Sequence, residues 1–200
     1  MRWSALNAKA LAFCRKRIAS GGDHGLGNYY LSRVTSNSLW CHTDKRLVRY
    51  VRNAFPRGTS VLEICAGGAQ VSHALALAGF VAHACELTDA RADFARELGK
   101  ALGSSAFVIQ SHWQLLPASK YELVFTNNAV SSHVSIEEDH ESFEQILQAG
   151  NDVILKPSLY GTKDYGRLIE FPTAAAVFNV GSGLRHWVGL DNRHGEDYAN

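Results

Sequence analysis

The sequence predicts an α/β fold: a doubly wound, mostly parallel seven-stranded sheet, preceded by amino-terminal helices and closed by an antiparallel hairpin. Three observations predict it. From residue 60 to residue 155, short apolar runs alternate with helix-period segments, the pattern of parallel strands joined by helical crossovers. The first run, Val61 to Ile64, ends in a turn of small residues, Cys65-Ala66-Gly67-Gly68-Ala69. The tail places two apolar runs, Thr173 to Val180 and Leu184 to Leu190, around Gly181-Ser182-Gly183, which reads as a hairpin adding one antiparallel edge strand.

Each element has its own local reason. Leu6, Ala10, Phe13 and Arg17 recur at helical spacing, so residues 5–19 form an amphipathic helix. Residues 21–27 are glycine-rich and read as loop. Thr43 caps a second helix that carries Leu47, Tyr50, Val51 and Ala54 on one face and ends at Pro56 and Gly58. Strands occupy 60–64, 81–85, 106–109, 121–126 and 152–155, with helices at about 69–78 and 89–98 between them. Thr88 is the cap of the latter helix, and Asp89 sits in its first turn, where the helix dipole favours an anion. Ser135 to Glu138 reads S-x-x-E, a capping box opening a helix to about residue 149.

Composition narrows the class. At 200 residues and 46% hydrophobic content the chain can bury one sizeable core. No apolar run reaches the length of a membrane span. The four cysteines (Cys14, Cys41, Cys65, Cys85) form no C-x-x-C pair and read as free thiols in a reducing compartment. The expectation is therefore a cytoplasmic protein without a membrane partner. The net charge of +1 hides an asymmetry: residues 1–58 hold 11 Lys/Arg against 2 acids (+9), the remainder 9 against 17 (−8). A basic segment on an acidic core implies a docked lid or a surface for an anionic partner. Its Arg-rich, acid-poor composition also resembles a transit peptide, against which residues 29–58 read as structured sequence.

The turn and the segments after it carry the chemistry. A strand, a small-residue turn, a helix and a second strand ending in Glu86 make the unit that binds a nucleoside at the carboxyl edge of a parallel sheet. Small residues let backbone approach a ligand closely, and an acid about 20 residues on is placed to accept from a ribose diol. This order of motifs, from about Lys45 to Leu190, resembles the class I S-adenosylmethionine-dependent methyltransferases. Their first motif is a strand with an acid, then G-x-G-x-G; Glu63 matches the acid, and Cys65, Gly67 and Ala69 fall on the glycine positions, of which only the middle one is glycine. Glu86 matches the acid closing strand two. The acid often found after strand three is missing, where Gln110 or Ser111 could bond an adenine amine and Trp113 cover its face. The stretch Tyr121 to Asn128 resembles the edge beside the methyl acceptor.

The resemblance implies S-adenosylmethionine as cofactor, held by Glu63, Cys65, Ala66, Gly67, Gly68, Ala69, Glu86, Leu87, Gln110, Ser111, Trp113 and Asn127. With the charge division, the chain reads as a basic helical lid, residues 1–58, on a cofactor-binding core over residues 59–200, and for a small-molecule acceptor Tyr29, Tyr30 and Trp40 would close over the pocket. Two acceptor classes stay open. For a small-molecule acceptor, Asn127 and Asn128 would hold it, and His133, where many small-molecule members carry a histidine, would remove its proton. For RNA, the ribose 2′-O-methyltransferases use a Lys-Asp-Lys-Glu tetrad. Lys45, 18 residues before Glu63, and Lys156 fall on its lysines; Asn127 replaces its aspartate and its glutamate falls near Arg185. The basic residues 1–58 suit RNA phosphates. A third reading is a domain that binds the cofactor without catalysis. A dinucleotide oxidoreductase would place glycines at Gly67, Ala69 and Ser72, two of which are absent. His140 with Glu144 has metal-ligand spacing but reads as part of a solvated acidic helix start, so no metal is expected. Lys45 and the arginines after it also fit a solvated helix face.

Overall fold

A computed structural model describes residues 2–21, 25–35, 39–112, 115, 121–127, 150–156, 174–179 and 184–189. Three helices come first: α1 (Trp3–Ser20), α2 (Leu26–Val34) and α3 (Leu39–Ala54). The α/β part then runs as β1 (Ser60–Ile64), α4 (Gln70–Ala76), β2 (Val81–Glu86), α5 (Asp89–Leu102) and β3 (Phe107–Gln110), then β4 (Tyr121–Asn127), β5 (Gly150–Lys156), β6 (Ala174–Asn179) and β7 (Leu184–Gly189). The helix expected from residue 135 lies outside the described residues.

The described strands form one sheet in the order β3-β2-β1-β4-β5-β6-β7. Strands β1 to β5 pair in parallel. The chain runs outward from β1 to β3, then returns to lay β4 on the other side of β1. That reversal makes the carboxyl ends of β1 and β4 a topological switch point, the place where open α/β sheets bind ligands. β6 is antiparallel to both β5 and β7. The hairpin thus adds a single antiparallel strand, as the tail predicts, but that strand is interior and β7 forms the edge.

The first helix has its expected face. Leu6, Ala10 and Cys14, spaced four apart, are buried, and Gly21 ends the helix in the left-handed conformation (φ 70°) with its N–H on the Ile18 carbonyl at 3.1 Å. Arg17 reaches Glu97 of α5 and lies over the Phe94 ring.

Two amino-terminal expectations need correction. Gly27 is not part of a loop but the second residue of α2. No side chain caps α2, and Gly25 (φ 86°) precedes it, so the local signals read as turn. Packing decides instead: Tyr30 and Val34, at i and i+4, are buried in the same core as Leu6, Leu47, Val61 and Phe125. Thr43 does not cap α3, which starts four residues earlier at Leu39.

That core joins α1–α3 to the sheet through α4 and α5. Among the described residues no helix is long and apolar enough to cross a membrane.

Candidate functional site

The small-residue turn after β1 adopts the backbone of a glycine loop even where glycine is absent. Cys65 (φ 53°), Gly67 (φ 55°) and Ala69 (φ 52°) all lie in the left-handed region, alternating with their neighbours. For Cys65 and Ala69 that conformation costs about 1–2 kcal/mol each. Three hydrogen bonds hold it. Ala66 N–H donates to the Cys85 carbonyl at 2.9 Å, Ala69 N–H to the Ala66 carbonyl at 2.8 Å, and Gly67 N–H to Glu86 Oε2 at 2.7 Å.

The two strand-end carboxylates divide the work. Glu63, buried at the end of β1, accepts from Ser72 N–H at 3.0 Å and Ser72 Oγ–H at 2.6 Å. It therefore caps α4 from beneath, replacing the side-chain cap that Ala69 cannot supply. Burial pushes its acid up to about 7, against the pull of the Ser72 bonds. Glu86, at the end of β2, accepts from Gly67 on one oxygen and from Leu87 N–H (2.9 Å) and Thr88 N–H (3.4 Å) on the other. Thr88 begins α5 through its backbone and makes no side-chain cap. Glu86 is 5% exposed, and its Oε2 keeps a second lone pair beside the turn.

A side chain from α2 covers the glycines. A methyl group on Gly67 would stand 2.6 Å from the Tyr30 hydroxyl, and one on Gly68 would stand 3.1 Å from the Tyr30 ring. The ring is buried, stacks on Phe94 of α5 (centroids 4.5 Å apart), and meets Tyr29 edge-on. Burial raises its phenol well above the usual range. The sequence accounts for Gly67-Gly68 by the approach of a ligand; within the chain itself, Tyr30 makes that approach. Tyr29 is half exposed.

The rest of the carboxyl edge is laid out by register. Gln110 pairs with Glu86 in the sheet and donates to Asp89; Ser111 N–H donates to the Glu86 carbonyl at 3.1 Å. Leu87 is 57% exposed beside Glu86. Asn127 and Lys156 are register partners at the ends of β4 and β5, next to β1. The edge thus brings Glu63, Cys65 to Ala69, Glu86, Leu87, Gln110, Ser111, Asn127 and Lys156 together. Lys45 is elsewhere: in the second turn of α3, it lines a recess with Arg57 and Gly79, which precede β1 and β2 at the opposite edge. Trp113, Asn128 and His133 lie outside the described residues.

Neither cysteine of the site is an activated thiol. Burial pushes Cys65 up to about 12 and Cys85 to about 11, with the Glu86 charge adding to both. The Cys85 thiol donates to the Ser111 carbonyl at 3.1 Å. Two contributors carry no signal in the sequence. Ser72 has no mark beyond its place in the helix. His73 is buried between α4 and α5, its Nε2–H donating to the Ala95 carbonyl at 2.9 Å and its Nδ1 accepting from Ser104 Oγ–H at 3.0 Å.

The same overall fold is found in solved structures. A TehB-like S-adenosylmethionine-dependent methyltransferase from Corynebacterium glutamicum superposes with a TM-score of 0.56 at 12% identity, over 78% of this chain and 84% of that one. The chain has the class I methyltransferase fold. Magnesium protoporphyrin IX methyltransferase from Synechocystis, with bound S-adenosylmethionine, gives 0.55 at 14% identity over 78% and 74% of the two chains. With bound S-adenosylhomocysteine, the same Synechocystis protein matches over 64% of this chain and only 61% of its own length, with a TM-score of 0.54 at 16% identity. A putative RNA methyltransferase from Pyrococcus horikoshii gives 0.53 at 15% identity over 65% of each chain. No family model matches the chain and no curated protein matches it in sequence. In this fold the turn after β1 and the acid closing β2 stand at the carboxyl edge of the sheet.

Proposed function

We propose that the protein is an S-adenosylmethionine-dependent methyltransferase acting on an oxygen or nitrogen of a small molecule. The observation that carries this is the turn: three alternating left-handed residues, two of them not glycine, braced by the Glu86 carboxylate on Gly67 N–H. Left-handed backbone on cysteine and alanine is strain, and strain of this kind concentrates where a site needs it.

The residues fit the cofactor. Tyr30 takes the close approach to Gly67 and Gly68, so the cofactor is assigned to the edge from Glu86 onward, where Oε2 keeps an acceptor direction for a ribose hydroxyl. Leu87 offers an apolar surface beside it, with Gln110 and Ser111 next along the edge for the base. When bound, S-adenosylmethionine supplies a methyl already electrophilic on its sulfonium. What remains for the chain is to align the acceptor, exclude water and take up a proton. Asn127 and Lys156, side by side at the ends of β4 and β5, are assigned to hold the acceptor. His133, from its position after β4 in the sequence, is assigned the proton.

The placement of Lys45 favours a small acceptor over RNA. The tetrad reading needs both lysines at the carboxyl edge; Lys156 ends a strand there, while Lys45 sits with the residues preceding β1 and β2. Incubating the protein with methyl-labelled S-adenosylmethionine and parallel pools of small metabolites and RNA tests the reading. Label should pass to the small-molecule pool. Label in RNA, or in neither pool while cofactor binds, would contradict it.

A further inference from the structure

The amino edge of the sheet carries a recess of about 400 Å³ between α1, α3, α4 and the turn into β2. Leu6 at its base is buried and Trp3 is half-buried, while Lys45, Arg49, Arg52 and Arg57 line it as exposed cations. No acidic side chain among the described residues lines it. None of the four cations makes a hydrogen bond or ion pair among the described residues, whereas Arg17 and Arg96 have Glu97 and Asp93.

The arrangement costs stability when empty. Lys45, Arg49 and Arg52 stand at i, i+4 and i+7 on α3, spacings at which like charges repel, and Arg57 adds a fourth charge from the α3–β1 connection. A merely solvated helix face has no reason to gather its cations over a concave apolar base. We propose that this recess binds a phosphorylated small molecule of nucleotide size, with at least two negative charges on a flat or apolar body. The volume falls in the range of small-ligand sites. Three guanidiniums can fork onto phosphate oxygens, and the Trp3 indole gives the body an aromatic surface. The cations converge on one recess instead of forming a track, which suits a compact ligand over a strand of nucleic acid. The site does not depend on the methyl-transfer reading.

Uridine 5′-diphosphate, inorganic pyrophosphate and a single-stranded RNA oligonucleotide are titrated calorimetrically into the full chain; the uracil probe avoids competition for an adenosine site. Uridine diphosphate should bind saturably, about fivefold or more tighter than pyrophosphate because the base is used. Arg49→Gln with Arg52→Gln should weaken it at least about tenfold, and Arg57→Gln alone should weaken it several-fold, with binding of S-adenosylhomocysteine unchanged in both. No binding at about 1 mM, or full affinity retained in both variants, overturns the proposal. Pyrophosphate binding as tightly as the nucleotide also overturns it, as does RNA binding that uridine diphosphate cannot displace.

Discussion

At the carboxyl ends of β1 and β2, each carboxylate is held by donors from the protein itself; at the amino ends, four cations line a recess with no partner among the described residues. Glu63 is spent on the start of α4, and most of Glu86 on the turn and the chain after it. The cations around Trp3 hold nothing together among those residues. Saturated charges build a shape, and unsaturated ones leave a shape waiting for charge. Substitution should therefore cost stability chiefly at the first edge and binding chiefly at the second.

The largest effect should come from Tyr30. Tyr30→Ala removes a buried ring stacked on Phe94 and seated on Gly67 and Gly68, and should cost about 3–5 kcal/mol in a denaturant melt. The double change at Arg49 and Arg52 should move the same melt by less than about 0.5 kcal/mol. Comparable losses in both would erase the contrast between the edges.

Next is the pH dependence of stability. His73 is buried, and its folded-state value falls to about 4. The unfolded chain then binds more protons between about 4 and 6.5, so this group makes stability rise with pH through that window, by about 3 kcal/mol in all. Glu63, raised to about 7, binds its proton more tightly when folded, so stability falls from about 4.5 to 7 by a similar amount. The two slopes oppose each other across about 4.5–6.5, and the wild type should be nearly flat there. Glu63→Gln removes one slope and should expose a rise of about 3 kcal/mol over the window. A profile equally flat in this variant would contradict the burial argument for His73.

The smallest effect sharpens the reading of the turn. Cys65→Gly and Ala69→Gly place glycine where φ is positive, so each should be neutral or stabilising by up to about 1 kcal/mol, after the entropy that glycine adds to the unfolded chain. An exposed helical site such as Ala5 should instead lose about 0.5–1 kcal/mol on the same change. Loss at the turn equal to loss at the helix would show the left-handed backbone to be absent.

Much of this is legible in the sequence. The five parallel strands, the turn and Glu86 emerge from apolar runs punctuated by small residues, because a strand buried on both faces must be apolar and must end where backbone turns. The features that are not legible depend on tertiary contact. α2 follows Gly25, opens with Leu26 and Gly27, and gains its helicity from burying Tyr30 and Val34, which no local signal announces. Residue type suggests caps at Thr43 and Thr88, yet α3 begins at Leu39 and Thr88 contributes backbone alone. Lys45 has the right sequence distance from Glu63 for a catalytic pair, but distance along a chain does not say at which end of a sheet a helical residue stands.

The braced turn after β1 is assigned to hold an adenosyl ligand through Glu86. Titrating S-adenosylhomocysteine into the wild type and Glu86→Gln in parallel tests it most directly. Saturable heat is expected with the wild type, and binding weaker by about 1–3 kcal/mol in the variant, with its fold intact by melting. No heat from the wild type at about 1 mM, or equal affinity in the two proteins, would contradict it.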